Sequence, residues 1–188
     1  SAINTSGSVN AIFLPAAGTD LNQRVGRKTC TKSFYLRGRL QTNYADAPVA
    51  TATTIPAQQT RIILVEDRQS NAGTAAITDI INVASSENQL NINNRDRFRI
   101  IADKVYCLGP VLVRDTATQA VAMVADPQII NIKLFKKVKM ETVWSGTSGA
   151  TTNIASGTLL LVFIGSEAAG TTAANIEWTC RVRFTDSH

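Results

Sequence analysis

The chain of 188 residues is 44% hydrophobic and 18% charged, a length and balance that fit one domain with a sizeable core and exclude a highly charged disordered tail. Nineteen Lys and Arg against fourteen Asp and Glu leave a net charge of +5, which suits a polyanionic partner. The longest unbroken apolar run, LLLVFI at 159–164, is far short of the roughly 20 residues of a membrane-spanning helix, so no membrane partner is expected.

Period two dominates the chain. At 30–40 Cys30, Phe34, Leu36 and Leu40 are apolar while Thr31, Ser33, Arg37 and Arg39 alternate with them, with Arg27 and Thr29 continuing the polar set and Lys32 breaking the pattern. RIILV at 61–65 predicts a strand buried on both faces. In the long connection after it, Ile77, Ile80 and Ile81 have helical spacing; residues 74–83 are read as a short helix or as irregular loop, the only helix invited. Residues 97–104 place Phe98, Ile100 and Ala102 on one face and Arg97 and Arg99 on the other, blurred by Ile101. Weaker strands are expected at 120–124 and 129–135. Val138, Met140, Thr142 and Trp144 then oppose Lys137, Lys139 and Glu141. The run at 159–164 is a second strand buried on both faces, and the last strand sets Ile176, Trp178, Cys180, Val182 and Phe184 against Glu177, Thr179, Arg181 and Arg183. Trp178 and Phe184 are therefore expected in the core. Loops rich in Ala, Thr, Ser and Gly fill 45–59, 145–157 and 165–172. Roughly eight strands with long connections argue for a two-sheet sandwich on a Greek-key or jelly-roll path, not a simple meander.

Little in the sequence supports catalysis or metal binding. The cysteines, Cys30, Cys107 and Cys180, are far apart, odd in number and without CxxC spacing, so free buried thiols are expected. The only histidine is the terminal His188, which leaves Ser-His-Asp or Cys-His chemistry without its usual base. GTSGATTNIASG at 146–157 has the composition of a phosphate loop but lacks the Lys-Ser/Thr ending and precedes a strand, so it is read as ordinary loop. Asp67, Asp96 and Asp103 have no calcium-loop spacing and are read as solvated or salt-bridged. No enzyme activity, cofactor or metal is expected. A carbohydrate-binding jelly roll is disfavoured, since only two Trp occur and both sit at apolar strand positions. By contrast Arg27, Arg37, Arg39, Arg97, Arg99, Lys137, Lys139, Arg181 and Arg183 all lie opposite the apolar face of their strand. Mixed charge is normal on a soluble sheet, but the scarcity of anions on these faces favours a phosphate-facing surface.

LNQRVGRK at 21–28, continuing through FYLRG at 34–38, resembles the opening strand of small single-jelly-roll viral capsid proteins, those of geminiviruses and related circular single-stranded DNA viruses and of satellite tobacco necrosis virus. ILVEDRQ at 63–69 and NRDRFRII at 94–101 are similar to later strands of that family, and 157–165 and RVRFTD at 181–186 to its last two. The resemblance implies an all-β, eight-stranded viral jelly roll, with strands B, I, D and G in one sheet and C, H, E and F in the other. The strands bearing cationic faces would be B, D, G and I, the sheet expected nearer the genome. It further implies residues 21–188 as the capsid domain and 1–20 as the remnant of an N-terminal arm. That remnant holds no Lys or Arg, so the family's basic arm is expected upstream. The family's Cys-His zinc cluster has no histidines here.

The expected function is therefore a viral coat protein. About sixty copies, the minimum for full icosahedral symmetry, would close a shell around a single-stranded genome, DNA before RNA. Its partners would be itself, that genome and a host receptor the sequence does not identify; its locations the virion and, during assembly of a DNA virus, the host nucleus. The alternatives are a single-stranded nucleic-acid-binding viral protein that does not assemble and a satellite-type coat protein packaging RNA.

Overall fold

A computed structural model describes residues 1–42, 53–113, 128–168 and 173–186. The strand expected at 120–124, His188 and much of the loops at 45–59 and 165–172 lie outside the described residues. The strands are β1 (Ala2–Ile3), β2 (Ser8–Ala11), β3 (Lys28–Gln41), β4 (Thr53–Ile55), β5 (Gln58–Asp67), β6 (Phe98–Leu108), β7 (Val111–Val113), β8 (Ile129–Trp144), β9 (Ile154–Ser156), β10 (Thr158–Gly165) and β11 (Ala174–Asp186). Among the described residues they form a five-stranded sheet in the order β1-β11-β3-β8-β9, a four-stranded sheet in the order β2-β10-β5-β6, and the pair β4-β7. All these pairings are antiparallel.

The order is that of a jelly roll: β1-β11-β3-β8 stand as B-I-D-G and β2-β10-β5-β6 as C-H-E-F. Two expectations change with it. The strand beginning at Lys28 is D, not B, because β1 and β2 already supply B and C. Residues 1–20, expected as an arm remnant, thus add a strand to each sheet and place Ile3 and Phe13 in the core. The strand bearing Arg97 and Arg99 is F and lies in the opposite sheet from the other cationic strands.

The main core forms where the inner faces of the two sheets meet. Phe34, Leu36 and Leu40 of β3 and Ile132, Leu134 and Met140 of β8 pack against Ile62 and Leu64 of β5 and Leu159, Leu161 and Phe163 of β10. β5 and β10 are buried on both faces because a second core covers their outer side. There Ile63, Val65, Leu160, Val162 and Ile164 meet Ala75, Ile80 and Ile81 of the connection after β5. That connection holds one turn of α-helix, α1 (Ile77–Ile80), and a 3-10 turn at Ile92–Asn94; the N-cap residue Ala76 donates its backbone N–H to the Asp79 carboxylate at 3.0 Å. Arg61 ties the cover down: its guanidinium forms a bidentate pair with Asp103 (2.9 and 2.6 Å) and donates to the carbonyls of Ser86 and Asn88.

Both irregularities in the sequence pattern are β-bulges. Pairing of β3 with β8 and with β11 skips Lys32. Thr29 and Thr31 therefore point inward below it and Phe34 and Leu36 above it, leaving Cys30 only half-buried instead of on the core face. Opposite, Lys139 takes φ +51°. Pairing of β5 with β6 skips Ile101, so Phe98 and Ile100 face the outer core while Ala102 faces the inner one. Trp178 and Phe184, expected as core, are partly buried and flank it; Trp144 is the fully buried tryptophan, its indole N–H donating to Thr29 Oγ1 at 3.1 Å.

Candidate nucleic-acid interface

The outer face of the five-stranded sheet is built by the residues that alternate with the inner core positions of β3, β8 and β11. β3 lies between the other two, and the register sets their outward residues in rows. Arg39 stands between Glu177 and Asn131, Arg37 between Thr179 and Lys133, Tyr35 between Arg181 and Phe135, and Ser33 between Arg183 and Lys137. Lys139 follows on β8. All the cations of these rows are exposed.

The anions of this face sit at its ends. Glu177 pairs with Arg39 at 3.2 Å and Glu141 with Lys28 at 3.4 Å, while Asp186 accepts from the backbone N–H of Val25 at 3.1 Å. Between those ends Arg37, Lys133, Lys137, Lys139, Arg181 and Arg183 have no ion pair among the described residues. Six unpaired cations on one open face, with aromatic rings among them, form a surface suited to a flexible polyanion.

The nine cations singled out from sequence therefore separate. Arg37, Lys137, Lys139, Arg181 and Arg183 come together; Arg39 adjoins them with its charge shared by Glu177. Arg27 lies off the end of the sheet, its Nε donating to the Trp144 carbonyl at 3.4 Å. Arg97 and Arg99 are on the other sheet and are bound to acids. Arg97 makes a bidentate pair with Asp67 (2.9 and 2.8 Å), and that hydrogen bonding raises its pKa. Arg99 pairs with Glu66 and donates to the Val138 carbonyl at 3.1 Å, bridging the two sheets. Both arginines neutralise carboxylates that are buried and therefore need a partner. Asp67 and Asp103 are engaged by arginines, and among the described residues no group of three or more His, Cys, Asp or Glu is placed to hold a metal.

The alternation of the sequence does not single out Lys133, Tyr35 and Phe135, which the register adds to this face. Residues 129–135 and 138–144 look like two strands because Lys136 interrupts the apolar set, whereas β8 is continuous and Lys136 occupies a half-buried inner position. Running the odd-numbered parity of Lys139 and Lys137 backwards reaches Phe135 and Lys133. The glycine-rich loop at 146–157 is ordered by contacts with the N-terminal segment: Ala17 N donates to the Thr147 carbonyl at 2.8 Å and the Arg24 guanidinium to that of Gly146.

The model of the geminivirus coat protein/nuclear export factor BR1 family matches residues 1–188. No curated protein matches the chain.

Proposed function

The chain belongs to the geminivirus coat protein family, and from that premise we propose that this viral coat protein closes into a small icosahedral shell of about sixty copies and packages single-stranded DNA against its five-stranded sheet. The observation that carries the packaging reading is the uneven distribution of open charge: on the four-stranded sheet Arg61, Arg97 and Arg99 are paired with Asp103, Asp67 and Glu66, leaving Lys104 without an ion pair among the described residues, whereas on the five-stranded sheet Lys28 and Arg39 are paired but Arg37, Lys133, Lys137, Lys139, Arg181 and Arg183 remain open. Arg37, Lys133, Lys137, Lys139, Arg181 and Arg183 would contact phosphates, with Arg39 at the margin. In this reading the sheet faces the inside of the shell, the partners are further copies of the chain and the genome, and the protein resides in the virion and in the host nucleus during assembly.

A second reading has its own support: the family description covers a nuclear export factor as well as coat proteins. A protein of that kind would use the same sheet on single-stranded nucleic acid without building a shell. Negative-stain imaging of the purified full-length protein separates the two. Closed particles whose contents are digested by a single-strand-specific deoxyribonuclease after extraction support the coat reading. Soluble protein that shifts single-stranded DNA but forms no particle supports the other. Contents sensitive to ribonuclease alone replace DNA by RNA.

A further inference from the structure

We propose that Tyr35 and Phe135 form a base-stacking platform at the centre of the cationic sheet, so that single-stranded nucleic acid is held there by its bases as well as by its phosphates; this deepens the packaging reading and rests on it.

The argument begins with an anomaly of burial. β3 and β8 alternate apolar-in and polar-out, and each has a large aromatic ring on the wrong side: Tyr35 is 36% exposed and Phe135 58%. They are not scattered. The register places them directly opposite each other, in a row completed by Arg181 on β11. Directly paired side chains are about 5 Å apart at Cβ, and same-face neighbours along a strand are about 7 Å away. Two rings thus form one contiguous apolar surface, bordered along the strands by Arg37 and Lys133 on one side and by Ser33 and Lys137 on the other, with Arg183 opposite Ser33 on β11. Beside Tyr35 the seam between β3 and β11 opens into a depression of about 460 Å³ lined by Tyr35, Arg37, Thr179, Cys180 and Arg181.

Charge complementarity selects the occupant. An apolar protein surface would strand four unpaired cations around the rings at its own desolvation cost. A duplex offers phosphates but keeps its base faces stacked inside. A single strand offers both phosphates and free π-faces, and every base has one, so such a platform tolerates any sequence. A guanidinium beside the rings, here Arg181, adds its planar face to the same stack.

The test uses the full-length protein and three labelled probes at fixed salt: oligothymidylate, an abasic oligomer of equal length, and a duplex. Tyr35→Ala with Phe135→Ala should weaken oligothymidylate binding by about 5- to 100-fold per ring removed, the range of base–aromatic stacking, while leaving abasic binding and the salt slope unchanged. Tyr35→Phe with Phe135→Tyr should bind as the parent does. Lys137→Gln with Arg183→Gln should weaken all three probes. Unchanged oligothymidylate binding by the alanine pair would overturn the platform while loss in the glutamine pair preserved the phosphate-binding sheet; no loss in either pair would overturn both. Equal loss of abasic and thymidylate binding in the alanine pair, or dissociation of protein oligomers by that pair without nucleic acid, would also overturn it, the latter assigning the rings to contact with a second copy.

Discussion

Arg61 holds the 68–97 cover on β5, because one guanidinium satisfies a carboxylate and two carbonyls. Hydrogen bonding by Asp103 raises its pKa, so it stays charged across any working pH. Arg61→Ala should cost about 1 to 3 kcal/mol, measured by urea unfolding, since it leaves the buried Ser86 carbonyl and the part-buried Asn88 carbonyl without this donor. The two tryptophans should differ. Trp144 is fully buried and hydrogen-bonded, so Trp144→Ala should cost about 3 to 5 kcal/mol; Trp178, half-buried with its ring 5.4 Å from that of Phe163, should cost less. Equal losses would show that β11 is as deeply packed as β8. The cysteines correct an expectation of uniform burial: all three are free, but Cys107 is exposed. Burial pushes the Cys180 thiol up, so alkylation near neutral pH should mark Cys107 first. Because that folded-state pKa is raised, the neutral thiol's contribution to stability is present below the unfolded value of about 8.5 and is lost as pH rises through the folded one. Cys30 lies opposite Thr185 and Cys180 opposite Leu36, so the two half-buried thiols are offset along neighbouring strands, and reducing agent should leave the thermal midpoint of the chain unchanged.

At the scale of elements, the long strands were legible because each has one face in the core, which imposes period two on the sequence. RIILV and LLLVFI were legible as doubly buried for the complementary reason, although what covers their outer face was not: the 68–97 connection has no sustained period, and its grip depends on Arg61 meeting a segment far along the chain. The two breaks in alternation, at Lys32 and Ile101, marked the bulges without revealing that the inward set reverses across them. β1 and β2 went unseen since strands of two and four residues are too short to show a period. That omission shifted the strand lettering and moved Arg97 and Arg99 to the wrong sheet. Turns carry their own constraint at Gly157, where φ is +79° and a Cβ would lie 2.0 Å from the Glu141 carbonyl oxygen. Gly157→Ala should therefore destabilise by more than about 2 kcal/mol, from backbone strain and a clash with main chain that no rotamer relieves. A thermal midpoint equal to that of the parent would mean that the β9–β10 turn has an alternative path.

For the whole molecule the informative property is sidedness, which a net charge of +5 conceals. Arginine is placed differently on the two sheets: Arg61, Arg97 and Arg99 pair with acids, while on the five-stranded sheet Arg39 shares Glu177 and Arg37, Arg181 and Arg183 have no ion pair among the described residues. Only pairing partners distinguish these uses, and they come from other strands, so the sequence pattern alone treats Arg99 and Arg183 alike. Salt dependence reads the difference directly. Each phosphate neutralised on a single strand contributes a slope of about −0.7 to log affinity against log salt. Lys133, Lys137, Arg181 and Arg183 changed together to Gln should thus reduce the slope by roughly 3, with little effect on stability because their side chains are exposed and unpaired. Arg97→Gln with Arg99→Gln should do the reverse: the slope stays as in the parent, while urea unfolding shifts to lower concentration because Asp67 and Glu66 lose their cations. If both variants lower the slope equally, nucleic acid reaches both sheets and no single face is turned to the genome. If the first variant leaves it unchanged, the open cations are a solvated surface and the phosphate contacts lie elsewhere in the protein.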